Sequence, residues 1–292
     1  MPDHTRSALL SQLGENSTPY RDPLALIDWS KLDREAFWLP ERAVSLYGLP
    51  EYGSLSLEQR IRLSQLEFLH LTEIGLWLEN LFIYRISRTG LRRQPEPKQS
   101  VYNLHHIREE AGHSLMFRTL QQQAGFPSVC LHLKHPRVLS WLAGWIPGST
   151  LAYQTALYLG EALPDRVNRK WLKMGGTICP VIKQITQLHM RDEARHVASV
   201  LNQLSSSLAA TPAPLLRLGS PVLSLFTRQF IRRLFYPDAM RYECAGLENG
   251  RLWRWRALAN PVRQDFVEQS VALVFQGLSE QGLSINWRLW RS

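Results

Sequence analysis

The sequence predicts an all-α fold: a four-helix bundle with additional helices on its N- and C-terminal sides. Three observations carry this. Apolar residues recur at helical spacing through four long segments, and no strand alternation or solenoid repeat interrupts them. Proline, glycine and capping residues stand where such helices would begin and end. With 292 residues, 45% of them hydrophobic, the chain can bury a sizeable core.

Residues 1–55 read as an N-terminal arm, held to short helices by Pro19, Pro23, Pro40 and Pro50. A bundle core spans 56–204. Its first helix runs from about 56 to 89, capped by Ser54 or Ser56 and carrying Glu58 where the helix dipole favours an acid. The second runs from about 98 to 123 and stops before Gly125-Phe126-Pro127. A short helix near 136–145 leads to the third, which starts at about 149. Pro164 should kink or end that helix, and DRVNRKWLKM can continue it beyond the kink. The fourth covers 178–204. Residues 205–292 form a Ser/Ala/Pro-rich linker (205–218) and a helical extension packed on the bundle. Its helices, about 221–236 and 261–281, open at Ser220-Pro221 and Asn260-Pro261. The Trp-rich end (Trp253, Trp255, Trp287, Trp290) reads as packing surface.

Composition excludes several classes. The net charge is +9, yet its arginines are scattered and accompany no nucleic-acid motif, so no nucleic-acid partner is expected. The most apolar stretch, 68–86, contains His70, Glu73, Glu79 and Arg85, which argues against a membrane span. Cys130, Cys179 and Cys244 are odd in number and lack Cys-x-x-Cys spacing. They indicate neither a disulfide framework nor a zinc ribbon, and a cytoplasmic location fits them. The N-terminus carries no apolar run of signal-peptide length.

The chemistry is concentrated on the fourth helix. Ile182, Ile185, His189, Glu193, His196, Val200 and Leu204 share one face, so two imidazoles and a carboxylate interrupt what would otherwise be core. A buried carboxylate must be protonated or face a cation, and three ligand-type side chains on successive turns suggest a metal. The second helix repeats the pattern with Glu110 and His113. Chance supplies on the order of half a Glu-x-x-His pair in this composition; there are three, and Glu67/His70 reads as incidental packing.

A metal pair of this type takes Glu-x-x-His from two helices and one Glu from each of the others. On the first helix Glu79 lies level with Glu110 across a hairpin, while Glu67 would sit about 18 Å further along the axis. Glu79 also lines up with apolar residues and with Gly75, which leaves room; Glu73 looks more solvated. The third helix offers Glu161, alone in an apolar run. Glu79 precedes Glu110 by 31 residues and Glu161 precedes Glu193 by 32, so each half is a Glu helix followed by a Glu-x-x-His helix. Four carboxylates would balance two divalent ions, and mixed carboxylate and imidazole donors suit iron or manganese. His106 reads as a buried neighbour of the site. Asp192 and Arg195 are either a pair supporting a ligand from behind or solvated charges, and Asp165 could likewise support a ligand.

GLWLEN, REEAGHSLMF, LGEAL and HMRDEARH together resemble the ferritin-like di-iron oxygenases of the p-aminobenzoate N-oxygenase (AurF-type) group over roughly 56–204. The resemblance implies two iron ions, with manganese a possible substitute. It implies Glu79, Glu110, His113, Glu161, Glu193 and His196 as ligands, with His189 as the additional histidine that sets this group apart. No catalytic residue beyond the metal ligands is implied. The implied reaction is N-oxygenation of an arylamine-like substrate with O₂ and an electron donor in specialised metabolism, and a homodimer is a possible assembly. The alternatives are a hydroxylase or desaturase on the same centre, or a non-enzymatic ferritin-like iron-binding protein. His106 gives the second helix its own HxxxExxH, which the family pattern does not call for.

Overall fold

The computed structural model describes residues 3–92, 96–131, 145, 146, 148 and 150–290. Every regular element among them is helical. The long helices are α1 (Asp3–Asn16), α2 (Leu57–Arg92), α3 (Pro97–Gln123), α4 (Leu151–Lys173), α5 (Pro180–Ala210), α6 (Ala213–Phe235), α7 (Gly250–Ala259) and α8 (Pro261–Glu280). The short helix expected near 136–145 lies, except for its last residue, outside the described residues.

Helices α2 and α3 pack along each other, as do α4 and α5, and the two pairs meet through α3 with α5 and α2 with α4. Local chemistry sets the ends. Ser56 caps α2 by accepting from the Gln59 N–H at 3.1 Å, while the Gln59 side chain accepts from the Ser56 N–H at 3.0 Å, a reciprocal capping box. Thr150 caps α4. Gly175 and Gly176, at φ 69° and 103°, make the turn from α4 to α5, a backbone region that penalises any Cβ. Helix α4 continues through Pro164 to Lys173. Proline has no N–H, so the Gly160 carbonyl, one residue before Glu161, loses its donor within the helix.

Helix α8 packs against α4, and α6 reaches α4 and α2. The stretch 205–218 is not an unstructured linker. Helix α5 extends to Ala210 and α6 starts at Ala213, running through Ser220 and Pro221. Leu208 and Leu216 pack on the core and hold in helix a composition that favours loops. Asn260 does cap α8, accepting from the Val262 N–H at 3.1 Å. Trp253, Trp287 and Trp290 pack against the core, whereas Trp255 is exposed.

Several buried polar residues lock this arrangement. Arg263 on α8 donates to the carbonyls of Ala43 (2.6 Å) and Phe235 (2.5 Å), tying the N-terminal arm to the C-terminal helices. Glu67 is buried and accepts from the backbone N–H and hydroxyl of Ser45; His70 bonds to the Arg233 carbonyl at 2.7 Å. Glu73 is not solvated: it is 1% exposed and accepts from Gln121. Each of these three groups finds its partner in a distant segment.

Cys130 and Cys244 form a disulfide, against the expectation of none. It joins the short helices Ser128–Leu131 and Ala239–Cys244 across a sequence separation of 114, which no local spacing would reveal. The case for a cytoplasmic location that rested on unpaired cysteines falls with it. Among the described residues no helix is long and apolar enough to cross a membrane.

Candidate metal centre

Two buried clusters of ligand-type side chains lie between the helix pairs. One contains Glu79, His113, His189 and Glu193; the other contains His106, Glu110, Glu161 and His196. Within each, one ligand atom per residue lies within 4.8 Å of all the others. All eight residues are buried. The structure therefore brings together the seven residues singled out from sequence and adds His106, which had been set aside. Glu67 and Glu73 point to other partners.

Glu110 and Glu193 stand between the clusters. His196 Nδ1 lies 3.1 Å from a Glu110 oxygen and 3.5 Å from a Glu193 oxygen. His113 Nδ1 lies 3.5 Å from Glu110 and 3.7 Å from both Glu79 and Glu193. His189 Nε2 is 3.3 Å from both Glu79 and Glu193. His106 Nε2 is 2.7 Å from Glu110 and 3.6 Å from Glu161.

The imidazoles of the two Glu-x-x-His pairs in the clusters are each held from behind by a carboxylate on the opposite helix. His196 Nε2 lies 3.0 Å from Glu109 of α3, and His113 Nε2 lies 3.4 Å from Asp192 of α5. Arg195 donates to both carboxylates, at 2.7 and 2.8 Å. Such partners fix the ring and its tautomer, leaving Nδ1 to face the cluster. Asp192 and Arg195 are thus a supporting pair, and Glu109 is a member that the sequence reading missed. Its signal was an acidic residue before two of the four cluster glutamates: Glu109-Glu110 and Asp192-Glu193. Asp165 instead accepts from Arg169 at 2.7 Å.

The donors fit metal ions. Buried atoms that lack a hydrogen-bond partner include Glu110 Oε2, Glu161 Oε1, His113 Nδ1 and His196 Nδ1, and a buried polar atom without a partner is costly. Their grouping at one place is what a bound cation would resolve. The electrostatics agree. Burial, reinforced by Glu193 and Glu110, pushes the Glu161 carboxyl well above its ordinary range. Burial also works to raise Glu193, but the His189 and His196 imidazoles outweigh it and hold that carboxyl low. For His113, burial opposes the charge, but the hydrogen bond with Asp192 and the nearby Glu110 and Glu193 carboxylates prevail and lift it to about 9. Protons substitute here for divalent charge. Without thiolate, the donor set suits iron or manganese.

Two cavities flank the centre and differ in character. On the His189 side a cavity of about 40 Å³ is lined mainly by apolar residues, among them Phe68, Ile74, Gly75, Phe117 and Ile185. A Cβ on Gly75 would meet the Phe117 ring at 2.8 Å. No Lys or Arg is among the described residues that line it. Behind the Glu109–Arg195–Asp192 group, a polar cavity of about 160 Å³ is lined by Asn16–Arg21 of the N-terminal arm.

Comparison with known proteins agrees with this geometry. The family described as P-aminobenzoate N-oxygenase AurF matches residues 3–282. The chain is 24% identical over 238 residues to uncharacterized proteins Rv0885 of Mycobacterium tuberculosis and Mb0909 of Mycobacterium bovis, over 78% of its own length. It spans 64% of the length of these relatives. A match across nearly every helix, joined to paired buried carboxylate–imidazole clusters, places this chain in the p-aminobenzoate N-oxygenase AurF family.

Proposed function

We propose that this protein is a di-iron oxygenase that N-oxygenates a neutral, largely apolar amine of the arylamine type. The single observation that carries the reading is the pair of buried clusters whose unpartnered donor atoms face one another. Glu79, Glu110, His113, Glu161, His189, Glu193 and His196 would hold the ions. When bound, the iron pair supplies the reduction of O₂ and the transfer of one oxygen atom. The overall change is R–NH₂ + O₂ + 2e⁻ + 2H⁺ → R–NHOH + H₂O, with the electrons coming from an external donor.

The chain's own residues do the rest. Phe68, Ile74, Phe117 and Ile185 exclude water and offer an apolar wall to the substrate. The cavity admits only the reacting end of a substrate, so a ring enters as lining side chains turn aside. Leu71, Val167 and Leu234 also line a second cavity of about 20 Å³ that ends at Arg263, the direction in which a longer substrate would extend. Glu67 stands 3.9 Å from Arg263, and each of the arginine's two terminal nitrogens already donates to a backbone carbonyl, which disfavours a substrate carboxylate there. Glu109 and Asp192, bridged by Arg195, keep the His196 and His113 imidazoles oriented and connect them to the polar cavity, a route for protons.

The test is anaerobic loading with Fe²⁺, then O₂ and a chemical reductant with aniline-type amines, with and without a carboxylate. Mass spectrometry should find the hydroxylamine or a more oxidised nitrogen product from the neutral amine. Ring- or chain-hydroxylated or desaturated products alone would place another oxidation on this centre. Iron uptake with no organic product would favour a binding protein.

A further inference from the structure

We infer that His106 is a metal ligand, so that the centre is held by four imidazoles rather than three and its two halves carry matching donor sets. This rests on the di-metal reading proposed above. The first argument is the correspondence between the halves. Exchanging α2 with α4 and α3 with α5 pairs Glu79 with Glu161, Glu110 with Glu193, His113 with His196 and His106 with His189. Each pairing turns one observed cluster into the other. Omitting His106 would break this correspondence at one position only.

The second argument is atomic. His113 and His196 both present Nδ1 to the carboxylates and lodge Nε2 against an outer carboxylate. His189 and His106 both present Nε2, each to the cluster glutamate of the Glu helix facing it and to the glutamate four residues along its own helix. His106 thus repeats its counterpart down to the nitrogen used. Its Nε2 lies within 3.6 Å of Glu161 Oε1, an oxygen with no hydrogen-bond partner. Its ring stacks on His196 at 3.9 Å between centroids, so both imidazoles converge on one point. The third argument is charge. Four carboxylates already balance two divalent ions, so a fourth neutral imidazole adds a donor without upsetting that balance.

The competing role is a hydrogen bond from His106 to Glu110 that merely steadies the carboxylate. Glutamine separates the two, because its amide can still donate to Glu110 but brings no imidazole. The experiment loads the full chain with Co²⁺ anaerobically, measures stoichiometry by titration, and counts the paramagnetically shifted, solvent-exchangeable imidazole N–H resonances by proton NMR. The wild type should bind two Co²⁺ and show four such resonances. His106→Gln should show three and bind one Co²⁺ at least about tenfold more weakly, the scale on which even supporting partners act. Three resonances in the wild type, or a His106→Gln protein that keeps the wild-type count and affinity, would overturn the inference. The first of these readings needs no variant to fold. A wild type that takes up fewer than two Co²⁺ would instead defeat the di-metal reading, and this inference with it.

Discussion

The two clusters hold the same side-chain types in the same arrangement, yet their surroundings are unlike. Beside Glu79, His113, His189 and Glu193 the wall is open: Gly75 and Phe117 leave a cavity against His189. Beside His106, Glu110, Glu161 and His196 the space is filled. The Tyr102 ring lies 5.9 Å from His106, and Leu10 and Leu13 of α1 pack over Tyr102. Ligand identity and access to the ligands are therefore set by different residues. On the function proposed above, the donors repeat because both halves would hold the same kind of ion, and the neighbours differ because only one side would receive a substrate.

The strongest way to break this comparison is to remove a carboxylate that both clusters share. Glu193→Ala should take metal content, measured by elemental analysis, from two ions per chain to below one. Glu161→Ala, which removes a member of the closed cluster alone, should cost a single ion. Next, Gly75→Val should drive the Phe117 ring into the cavity and lower turnover roughly 100-fold, the scale of a displacement of about 1 Å, with metal content unchanged. Its counterpart on the closed side, Tyr102→Phe, should leave turnover near the wild type. Loss of turnover in both would show that the open side is not special.

Smaller effects are expected further out. Glu109→Ala and Asp192→Ala should each weaken metal binding by about 10–100-fold in competition with a chelator, and to a similar extent if the halves are equivalent. Reducing the Cys130–Cys244 bond should lower thermal stability, since closing a loop of about 100 residues is worth up to about 4.7 kcal/mol. Metal affinity should stay unchanged, because neither cysteine belongs to a cluster.

Much of this was legible in the chain. Glu110, His113, His189, Glu193 and His196 could be placed on inward faces because the 3.6-residue period puts them among Ile and Leu, where a solvated role makes no sense. Hairpin arithmetic was enough to set Glu79 level with Glu110. What escaped depends on contacts between segments. Glu109 carries no periodic signal of its own, and only the approach of α3 to α5 shows it meeting His196. Glu73 seemed solvated because its partner Gln121 lies on another helix. The stretch 205–218 carries loop-favouring composition that core packing overrides, and Cys130 and Cys244 share no spacing signal.

The same disulfide encloses α4, α5 and α6, and with them Glu161, His189, Glu193 and His196. Four of the eight cluster residues thus reside on a closed covalent ring, while the other four come from the chain that precedes it. A protease that nicks the exposed Pro212–Pro214 stretch would not separate the pieces. They would migrate as one species until a reductant was added, and the severed protein could keep its ions in the meantime.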